Sequence, residues 1–298
     1  MKILHISAGW QKWNGAANIA RMLMEEQRRK GHEVSSATWA KVRELRSADE
    51  VWIHCGWLPC LWWAALLGRN IHWMPEACYD PVRLRYHGWK KWQVGAIERF
   101  CLRRAKTLVV TCEAEAGWIR SYLGRRCPSI EITDIKRFFN LNTLNLVNPV
   151  KKSLNLLYLG RRHPLKGVEH LETAVRQIQE STYSTCSTRL NKIELRIISN
   201  AFGEELEKVW NWCDVLVLPT LSENFGLVIA EALERGKRVI TTDGAPAWGE
   251  NLSRVEHVEG GEVLSSYGGQ LIYLKGYRGG SNEKRVKLLR SAIERICG

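Results

Sequence analysis

Two glutamates stand eight residues apart in the C-terminal half of the chain, in the stretch PTLSENFGLVIAEAL at residues 219–233. Glu231 lies in the middle of an apolar, helix-like run, and Glu223 precedes that run. An isolated carboxylate that is taken out of water costs several kcal/mol unless a partner compensates its charge. Glu231 must therefore be solvated, paired with a cation or ready to receive a ligand.

The residues around these carboxylates indicate an anion site. A strand-like run, DVLVLP, comes first, and a helix is predicted to begin near Phe225 or Gly226. Unpaired amides at a helix start attract anions, and ligands of parallel sheets bind at the carboxyl ends of strands. About two turns further on, Glu231 can accept hydrogen bonds from two vicinal hydroxyls, as the acidic residue of a dinucleotide fold does with ribose. The alternative is an exposed helix on which Glu231 pairs with Arg235, which is worth only about 0.3 kcal/mol.

A second motif, LNLLYLGRRHPLKGVEHL, places cations at a helix start. A strand runs into Gly160, Arg161 and Arg162, and Lys166 stands where the next helix begins. Cations at this end oppose the helix dipole, so their grouping favours a bound anion, and phosphate is the expected one. The stretch matches neither GxxxxGK[ST] nor GxGxxG, which argues against a P-loop ATPase and a nicotinamide site. A solvated basic turn is the alternative.

Both halves of the chain alternate strand-like and helix-like runs. The strand-like runs are KILHIS, HEVSSATW, EVWIHC, NIHWM and TLVVTC in the first half, and LNLLYLG, LRIIS, DVLVLP and RVITT in the second. This pattern predicts an α/β protein with two domains, each a parallel sheet covered by helices on both faces. An Asn-rich passage places the boundary near Pro149, between domains at 1–148 and 149–298. The polar run 181–188 is predicted to be a surface loop.

Composition limits the class of protein. The 298 residues, 45% of them hydrophobic, suffice for a core that splits into two. No apolar run approaches the roughly 20 residues that span a bilayer, so we expect a cytoplasmic protein. Nine cysteines are scattered without a CxxC pair, which fits reduced thiols, and we expect no structural metal. The net charge of +13 favours an anionic partner such as phosphate, nucleic acid or lipid head groups.

The motifs resemble those of family-4 glycosyltransferases of the GT-B fold. GRRHPLKG, PTLSENFGLVIAEAL and VITTDGAPAW are similar to their donor half, in which Gly-Arg, Lys-Gly and E-x7-E recur in this order. In the first half, VWIHCGWLP, MPEACYDPVRL and CLRRAKTLVVTCEAE resemble the bacterial envelope-polysaccharide and lipopolysaccharide branch. The resemblance implies two Rossmann-like domains facing across a cleft. The N-terminal domain would take the acceptor and the C-terminal domain a nucleotide-sugar donor.

The resemblance also implies roles for single residues. Arg161 and Lys166 match the cations that neutralise the donor diphosphate, Glu231 the carboxylate on the ribose hydroxyls, and Glu223 the residue that touches the transferred sugar. The remaining residues implied in donor binding are Asn224, the amides of Phe225, Gly226 and Leu227, and Asn14 and Gly15 after the first strand.

The chain departs from the resembling family in two places. Only one convincing strand, LRIIS, stands between LYLG and DVLVLP, where two are usual. Many relatives have a histidine after the strand that matches NIHWM, whereas this chain has Pro75 and Glu76, followed by Asp80. The N-terminal catalytic contact is therefore Glu76, Asp80 or His54. The histidines of the apolar strands, His5 and His72, are expected to be core residues.

A basic stretch with aromatic residues covers residues 81–106. Its eight Lys and Arg face a single Glu and alternate with Trp89, Trp92 and Phe100. This composition is typical of a membrane-surface contact or a nucleic-acid patch, and equally of a helix with its aromatics in the core and its charges in water.

The resemblance implies a retaining hexosyltransferase that moves sugar from a nucleotide-diphosphate sugar to a saccharide acceptor, lipid-linked or part of a lipopolysaccharide. The donor is a substrate, and no cofactor or metal is expected, since cations and a helix terminus stand at the phosphates and the chain has no D-x-D. We expect a cytoplasmic protein, and one option for it is peripheral contact with the inner face of the cytoplasmic membrane. Two other functions remain open: a phage-type glycosyltransferase that modifies nucleic acid, and a GT-B domain that only binds.

Overall fold

The computed structural model describes residues 1–10, 15–141, 153–185, 192–249, 252, 254–258, 261–267 and 270–297. The chain divides into two compact units, Met1–Phe138 and Phe139–Gly298. The boundary that the sequence predicts near Pro149 lies outside the described residues.

The first unit is a six-stranded parallel sheet with helices between its strands. Its strands are β1 (Lys2–Ser7), β2 (Glu33–Ala37), β3 (Glu50–His54), β4 (Ile71–Met74), β5 (Thr107–Val110) and β6 (Ser129–Ile132). Its helices are α1 (Gly15–Arg29), α2 (Val42–Ser47), α3 (Pro59–Leu67), α4 (Pro81–Tyr86), α5 (Gly88–Leu102) and α6 (Glu113–Leu123). The strand order is β2-β1-β3-β4-β5-β6. Five consecutive residues of β1 are buried, as expected for a strand that is covered on both faces.

The second unit is a seven-stranded mixed sheet. Its strands are β7 (Ser153–Leu159), β8 (Lys192–Ile198), β9 (Val215–Leu218), β10 (Arg238–Thr242), β11 (Arg254–Val258), β12 (Gly261–Ser266) and β13 (Leu271–Lys275). Its helices are α7 (Val168–Thr185), α8 (Glu204–Trp212), α9 (Leu227–Glu234) and α10 (Asn282–Cys297). The order is β11-β12-β13-β10-β9-β7-β8, parallel from β13 to β8 and antiparallel across β11, β12 and β13.

The order of strands creates a switch point in each sheet. The chain leaves β7 for β8 on one side and returns to β9 on the other, so β7 and β9 are neighbours whose following loops diverge. The same reversal occurs at β1, between β2 and β3. Open α/β sheets bind ligands outside the carboxyl ends of strands at such points. In the second unit, the two loops at this point are the two motifs that the sequence predicts to bind an anion.

The structure corrects one predicted element and adds others. The prediction of a loop over residues 181–188 is wrong for residues 181–185, because α7 continues to Thr185. Residues 186–188 lie outside the described residues. The Ser181 hydroxyl donates to the carbonyl of Gln177 at 2.7 Å, so the polar side chain is satisfied within the helix. Strand β6 and the strands β11 to β13 were not predicted from the sequence. Across the described ranges, none of the helices is long and apolar enough to cross a bilayer.

Candidate functional site

The loops that follow β7 and β9 are bonded to each other. The Leu221 amide donates to the carbonyl of Leu165 at 2.8 Å, and the Thr220 hydroxyl donates to the same oxygen at 3.2 Å. Gly167 has φ of 64°, and a Cβ there would overlap the carbonyl oxygen of Pro219. Only glycine therefore permits this close approach, and the β7–α7 and β9–α9 loops form one continuous surface.

An ion pair joins the two predicted motifs. Lys166 ends a short 3₁₀ turn before α7, and its Nζ contacts Oε2 of Glu223. Both side chains are 19% exposed, so solvent screens this pair only partly. The Glu223 amide donates to the carbonyl of Gly244 at 2.8 Å, which fixes the backbone of the carboxylate against the loop after β10. The sequence predicted a role for each residue, and the tertiary structure brings the two side chains together.

The β9–α9 loop presents unsatisfied polar groups. The Ser222 hydroxyl and the Asn224 side-chain oxygen are buried and have no hydrogen-bond partner among the described residues. Gly226 caps α9 with φ of 74° and offers no side chain to the first amides of the helix, including that of Leu227. Buried polar groups without partners are rare in folded proteins and indicate an absent ligand or water. The Ser222 hydroxyl and the first amides of α9 can donate to an anion, whereas the Asn224 oxygen can only accept from a donor such as a hydroxyl. The loop is therefore a candidate site for an anionic ligand that also carries hydroxyls.

Phe225 supports the loop from below. Its side chain is 1% exposed and packs against Trp248, with ring centroids 5.1 Å apart. The Trp248 indole donates to the carbonyl of Phe225 at 2.5 Å. Phe225 therefore contributes its backbone to the loop surface, while its side chain belongs to the core.

Glu231 is half-buried on α9, and its carboxylate makes no hydrogen bond or ion pair among the described residues. Burial raises the pKa of this carboxyl, and the nearby Arg235 opposes that shift. Arg235 binds Glu207 at 3.0 Å instead and donates to the backbone carbonyl of Glu231 at 3.2 Å. The structure therefore does not contain the alternative ion pair between the side chains of Glu231 and Arg235.

The two arginines after β7 have different environments. Both are exposed, but Arg162 forms an ion pair with Glu172 on α7. Arg161 forms no ion pair among the described residues, and its carbonyl accepts the Tyr158 hydroxyl at 2.9 Å. Arg161 is therefore available to an anionic ligand, whereas Arg162 is occupied. In the first unit, Gly15 begins α1 and Asn14 lies outside the described residues.

The carboxyl edge of the first sheet holds a buried polar chain. His5 Nε2 lies 2.7 Å from Oε1 of Gln27, His5 Nδ1 lies 2.9 Å from His54 Nε2, and His54 Nδ1 lies 3.5 Å from Oε1 of Glu76. Because the Gln27 oxygen only accepts, His5 donates from Nε2, and His54 donates to His5. The Nδ1 lone pair of neutral His54 then faces Glu76, which favours a protonated Glu76. His5 and His54 are core residues, as predicted for His5.

Glu115 explains which carboxyl of this edge holds the proton. Burial raises the pKa of this carboxyl. Three hydrogen bonds to the ionised form oppose the rise: those from the Ala77 amide at 2.7 Å and from the Thr111 amide and hydroxyl at 2.9 and 3.1 Å. Burial and repulsion by Glu115 raise the pKa of Glu76 well above its usual range. Sequence reasoning missed Glu115, since nothing in CEAEA distinguishes it from the exposed Glu113.

Asp80 has a structural contact that the sequence did not predict. It is fully buried, and its Oδ1 accepts the Val82 amide at 2.8 Å as the N-cap of α4. N-cap residues stabilise the first turn of a helix by about 1 kcal/mol. The three N-terminal candidates, Glu76, Asp80 and His54, thus lie at one sheet edge, and all three are buried.

The basic stretch 81–106 folds into α4 and α5. Three apolar side chains of α5 are exposed: Trp92 at 83%, Phe100 at 58% and Ile97 at 50%. Glu98 is buried and accepts the Tyr79 hydroxyl at 2.6 Å, the Trp57 amide at 2.9 Å and the Trp62 indole. Glu98 therefore joins α5 to α3 and to the segments after β3 and β4. The opposite side of α5 exposes apolar side chains. The side chains of residues 89–91 lie outside the described part.

Comparison with known proteins identifies the fold. Residues 153–261 match the model of the family "Glycosyl transferases group 1". The chain is similar to sucrose-phosphate synthase from Thermosynechococcus elongatus, with 13% identity, a TM-score of 0.60 and coverage of 99% of this chain and 94% of that one. The chain is also similar to HepE from Anabaena, which was solved in complex with UDP-glucose. The identity is 14%, the TM-score is 0.54, and the match covers 99% of this chain and 94% of that one. A third similar structure is WaaG, a glycosyltransferase involved in lipopolysaccharide biosynthesis. The identity is 13%, the TM-score is 0.55, and the match covers 99% of this chain and 90% of that one.

No curated protein matches the chain. The agreement over almost the whole chain establishes an α/β protein with the GT-B fold and two mostly parallel sheets, as the sequence predicted. The family match covers the segment from β7 to the start of β12, which includes both loops of the candidate anion site.

Proposed function

We propose that the chain is a retaining glycosyltransferase that takes sugar from a nucleotide-diphosphate donor held by the second unit. The observation that carries the proposal is the half-buried Glu231 carboxylate without a side-chain partner, on the helix that follows the β9–α9 loop. Vicinal ribose hydroxyls donate the two hydrogen bonds that such a carboxylate requires. HepE, a protein of the same fold, binds UDP-glucose, which supports a nucleotide sugar as the ligand.

The diphosphate would lie where the two loops meet. Lys166, Arg161 and the first amides of α9 supply positive charge at the switch point between β7 and β9. The amides of α9 are fixed by the fold before the ligand binds, and such preorganised dipoles stabilise a departing diphosphate without reorganisation. The chemistry of transfer then needs no metal at the phosphates, which is part of this proposal.

Donor binding would also release Glu223. In the structure Lys166 neutralises this carboxylate, and an incoming phosphate competes for the same ammonium group. Glu223 then accepts hydrogen bonds from hydroxyls of the transferred sugar, and Asn224 offers an unsatisfied oxygen beside it. The Lys166–Glu223 ion pair thus fixes both side chains until the donor binds.

For the acceptor we propose a lipid-linked or lipopolysaccharide saccharide at the inner face of the cytoplasmic membrane. The exposed Trp92, Ile97 and Phe100 on a basic helix support contact with an anionic lipid surface, where aromatics insert and cations attract. WaaG acts in lipopolysaccharide biosynthesis, and it shares the fold. The net charge of +13 also supports the rival function, modification of a nucleic acid.

Binding of nucleotide sugars tests the donor site. UDP, GDP, ADP and CMP sugars are titrated against the chain in a thermal-shift screen, since a ligand of the folded state raises the melting temperature. With the nucleotide so found, Glu231→Gln and Lys166→Met are each expected to weaken binding by about 2–4 kcal/mol, as for lost charge-assisted hydrogen bonds. Glu234→Gln, an exposed carboxylate on the same helix, is the matched control and should bind normally.

Unchanged affinity in both site variants would contradict the donor site. Binding without turnover of any saccharide acceptor would leave a binding module instead of an enzyme. Product analysis by NMR then gives the anomeric configuration, and an inverted product would contradict retention.

A further inference from the structure

Two cysteines face each other at the carboxyl edge of the first sheet. Sγ of Cys55 lies 3.6 Å from Sγ of Cys78, although the residues are 23 positions apart. Cys55 directly follows β3 and Cys78 lies four residues beyond β4, and these strands are parallel neighbours with His54 opposite Met74. The Cys55 amide donates to the carbonyl of Met74 at 2.9 Å, which extends the strand pairing to the first cysteine.

The backbone on both sides is held in unusual conformations. Cys55, Trp57, Glu76 and Ala77 have φ values of 74°, 68°, 57° and 57°, in the left-handed region that side chains with a Cβ rarely adopt. Such residues persist only where the surrounding structure fixes them, and they cluster at functional sites. Four of them in two adjacent loops indicate that the fold imposes this arrangement at a cost.

Two tryptophans hold the cysteine backbones in place. The Trp73 indole donates to the carbonyl of Cys55 at 2.6 Å, and the Trp57 indole reaches the carbonyl of Cys78 at 3.4 Å. Trp73 is fully buried in the core of the first unit. The two carbonyls are thus anchored on different indoles, so the separation of the sulfurs is set by the fold.

The two thiols have complementary properties. Cys55 is partly exposed and Cys78 is 5% exposed. The hydrogen bond from Cys78 lowers the pKa of the Cys55 thiol, and Arg83 acts in the same direction, whereas burial and Glu76 oppose it. A thiol of lowered pKa that lies next to a second cysteine is the arrangement of redox-sensing pairs.

We propose that Cys55 and Cys78 form a reversible dithiol–disulfide switch that responds to peroxide. The Cys55 thiolate attacks hydrogen peroxide, the O–O bond breaks, and Cys55 becomes a sulfenic acid while hydroxide leaves. The Cys78 sulfur then attacks the sulfenic sulfur, the S–S bond forms, and the hydroxyl leaves with the Cys78 proton as water. Two thiols are oxidised by two electrons, and one peroxide is reduced to two waters. A small dithiol reverses the reaction by exchange.

Oxidation would move groups of the buried polar chain. The sulfurs must approach by about 1.5 Å to reach the length of a disulfide bond. Cys55 follows His54 directly, and Cys78 lies two residues after Glu76, so the movement is transmitted to the contact between these two side chains. The switch therefore acts on the carboxyl edge of the first unit, independently of the donor site proposed for the second.

Peptide mapping tests the pair. The reduced 298-residue chain is treated with one equivalent of hydrogen peroxide, remaining thiols are alkylated, and a digest is analysed by mass spectrometry without reduction. The expected result is a linked peptide pair that joins Cys55 to Cys78, the loss of two thiols in total, and full recovery after a dithiol reductant. Cys60→Ser, which removes the cysteine nearest to Cys55 in sequence, should leave this result unchanged.

The single variants separate the two roles. Cys78→Ser should stop at a sulfenic acid on Cys55, which dimedone traps, and Cys55→Ser should leave Cys78 reduced at the same peroxide dose. A Cys55–Cys60 link, or oxidation elsewhere while Cys55 and Cys78 stay reduced, would overturn the proposal. The test measures the masses of linked peptides, so its result does not depend on whether the chain binds a nucleotide sugar.

Discussion

Acidification should destabilise the first unit through its two buried histidines. Burial lowers the pKa of His54 from 6.5 to about 3, and burial together with neighbouring His54 lowers the pKa of His5 to about 3. Both rings are fully buried in the folded chain. The unfolded chain binds protons at these residues below pH 6.5, whereas the folded chain does not until about pH 3. The histidines therefore contribute stability above pH 6.5 that is lost as the pH falls toward 3.

The magnitude follows from the two pKa values of each ring. At pH 5 the solution is about 1.5 pH units below the pKa of an unfolded histidine, and each unit is worth about 1.4 kcal/mol. Each buried histidine therefore lowers the free energy of unfolding by about 2 kcal/mol relative to pH 7.5. Glu76 and Glu115 act in the opposite direction, since burial raises the pKa of each and acid then favours the folded state. The total change in the wild type is smaller than the histidine part for this reason.

A variant isolates the histidine part. Hydrogen exchange of the β1 and β3 amides, corrected for intrinsic rates, gives the free energy of opening of the first unit at pH 7.5 and pH 5. His54→Asn, whose amide does not titrate, should reduce the loss of stability on acidification by about 2 kcal/mol. His257→Gln removes a histidine that is 82% exposed and should leave the loss unchanged.

The comparison between the two pH values cancels any constant cost of the substitution. The explanation by burial is refuted if the loss of stability between pH 7.5 and pH 5 is the same in His54→Asn and in the wild type. Values within about 0.5 kcal/mol of each other count as the same.

Glu98→Ala should lower the free energy of unfolding of the first unit by about 3 kcal/mol in chemical denaturation, because three donors lose their acceptor, and an effect below about 1 kcal/mol would contradict this. Gly167→Ala should destabilise the second unit and weaken nucleotide binding, since its Cβ would meet the Pro219 carbonyl; wild-type melting and affinity would disprove the contact. Transfer should survive EDTA, and activity restored by added magnesium after chelation would exclude our account of the phosphate site. Wild-type protein should sediment with anionic vesicles more than with neutral ones, and Trp92→Ser with Phe100→Ser should sediment less. DNA binding with a steep salt dependence and no vesicle binding would favour the nucleic-acid function.

The sequence alone was sufficient for the fold class and for the two loops of the candidate donor site. Parallel strands covered on both faces appear as short apolar runs, so β7 and β9 were visible without any knowledge of their neighbours. Residues that start a helix and bind an anion are close together in sequence, so Lys166 and Gly226 could be placed by spacing. The antiparallel strands β11 to β13 were not found, because glycine pairs at 260–261 and 268–269 interrupt the strand pattern of this segment.

Local rules were insufficient wherever a side chain chooses between partners. The i,i+4 rule offered Arg235 to Glu231, but Arg235 lies over the Trp210 ring and binds Glu207, 28 residues earlier. Sequence proximity grouped Arg162 with Arg161, whereas only Arg162 meets the carboxylate of α7. Such choices depend on which helices pack together, and the neighbouring sequence does not contain that information.

Pairs of residues far apart in sequence were decided by the tertiary structure alone. The register of β1, β3 and β4 places His5 beside His54 and Cys55 beside Cys78, across separations of 49 and 23 residues. The sequence singled out His54 as a candidate catalytic contact, but nothing in the separate segments indicated either pairing. The sequence determined which segments form strands and where their loops begin. The pairing of those strands decided the protonation and redox chemistry of the residues at their ends, because pKa values and thiol reactivity follow from burial and neighbours in space.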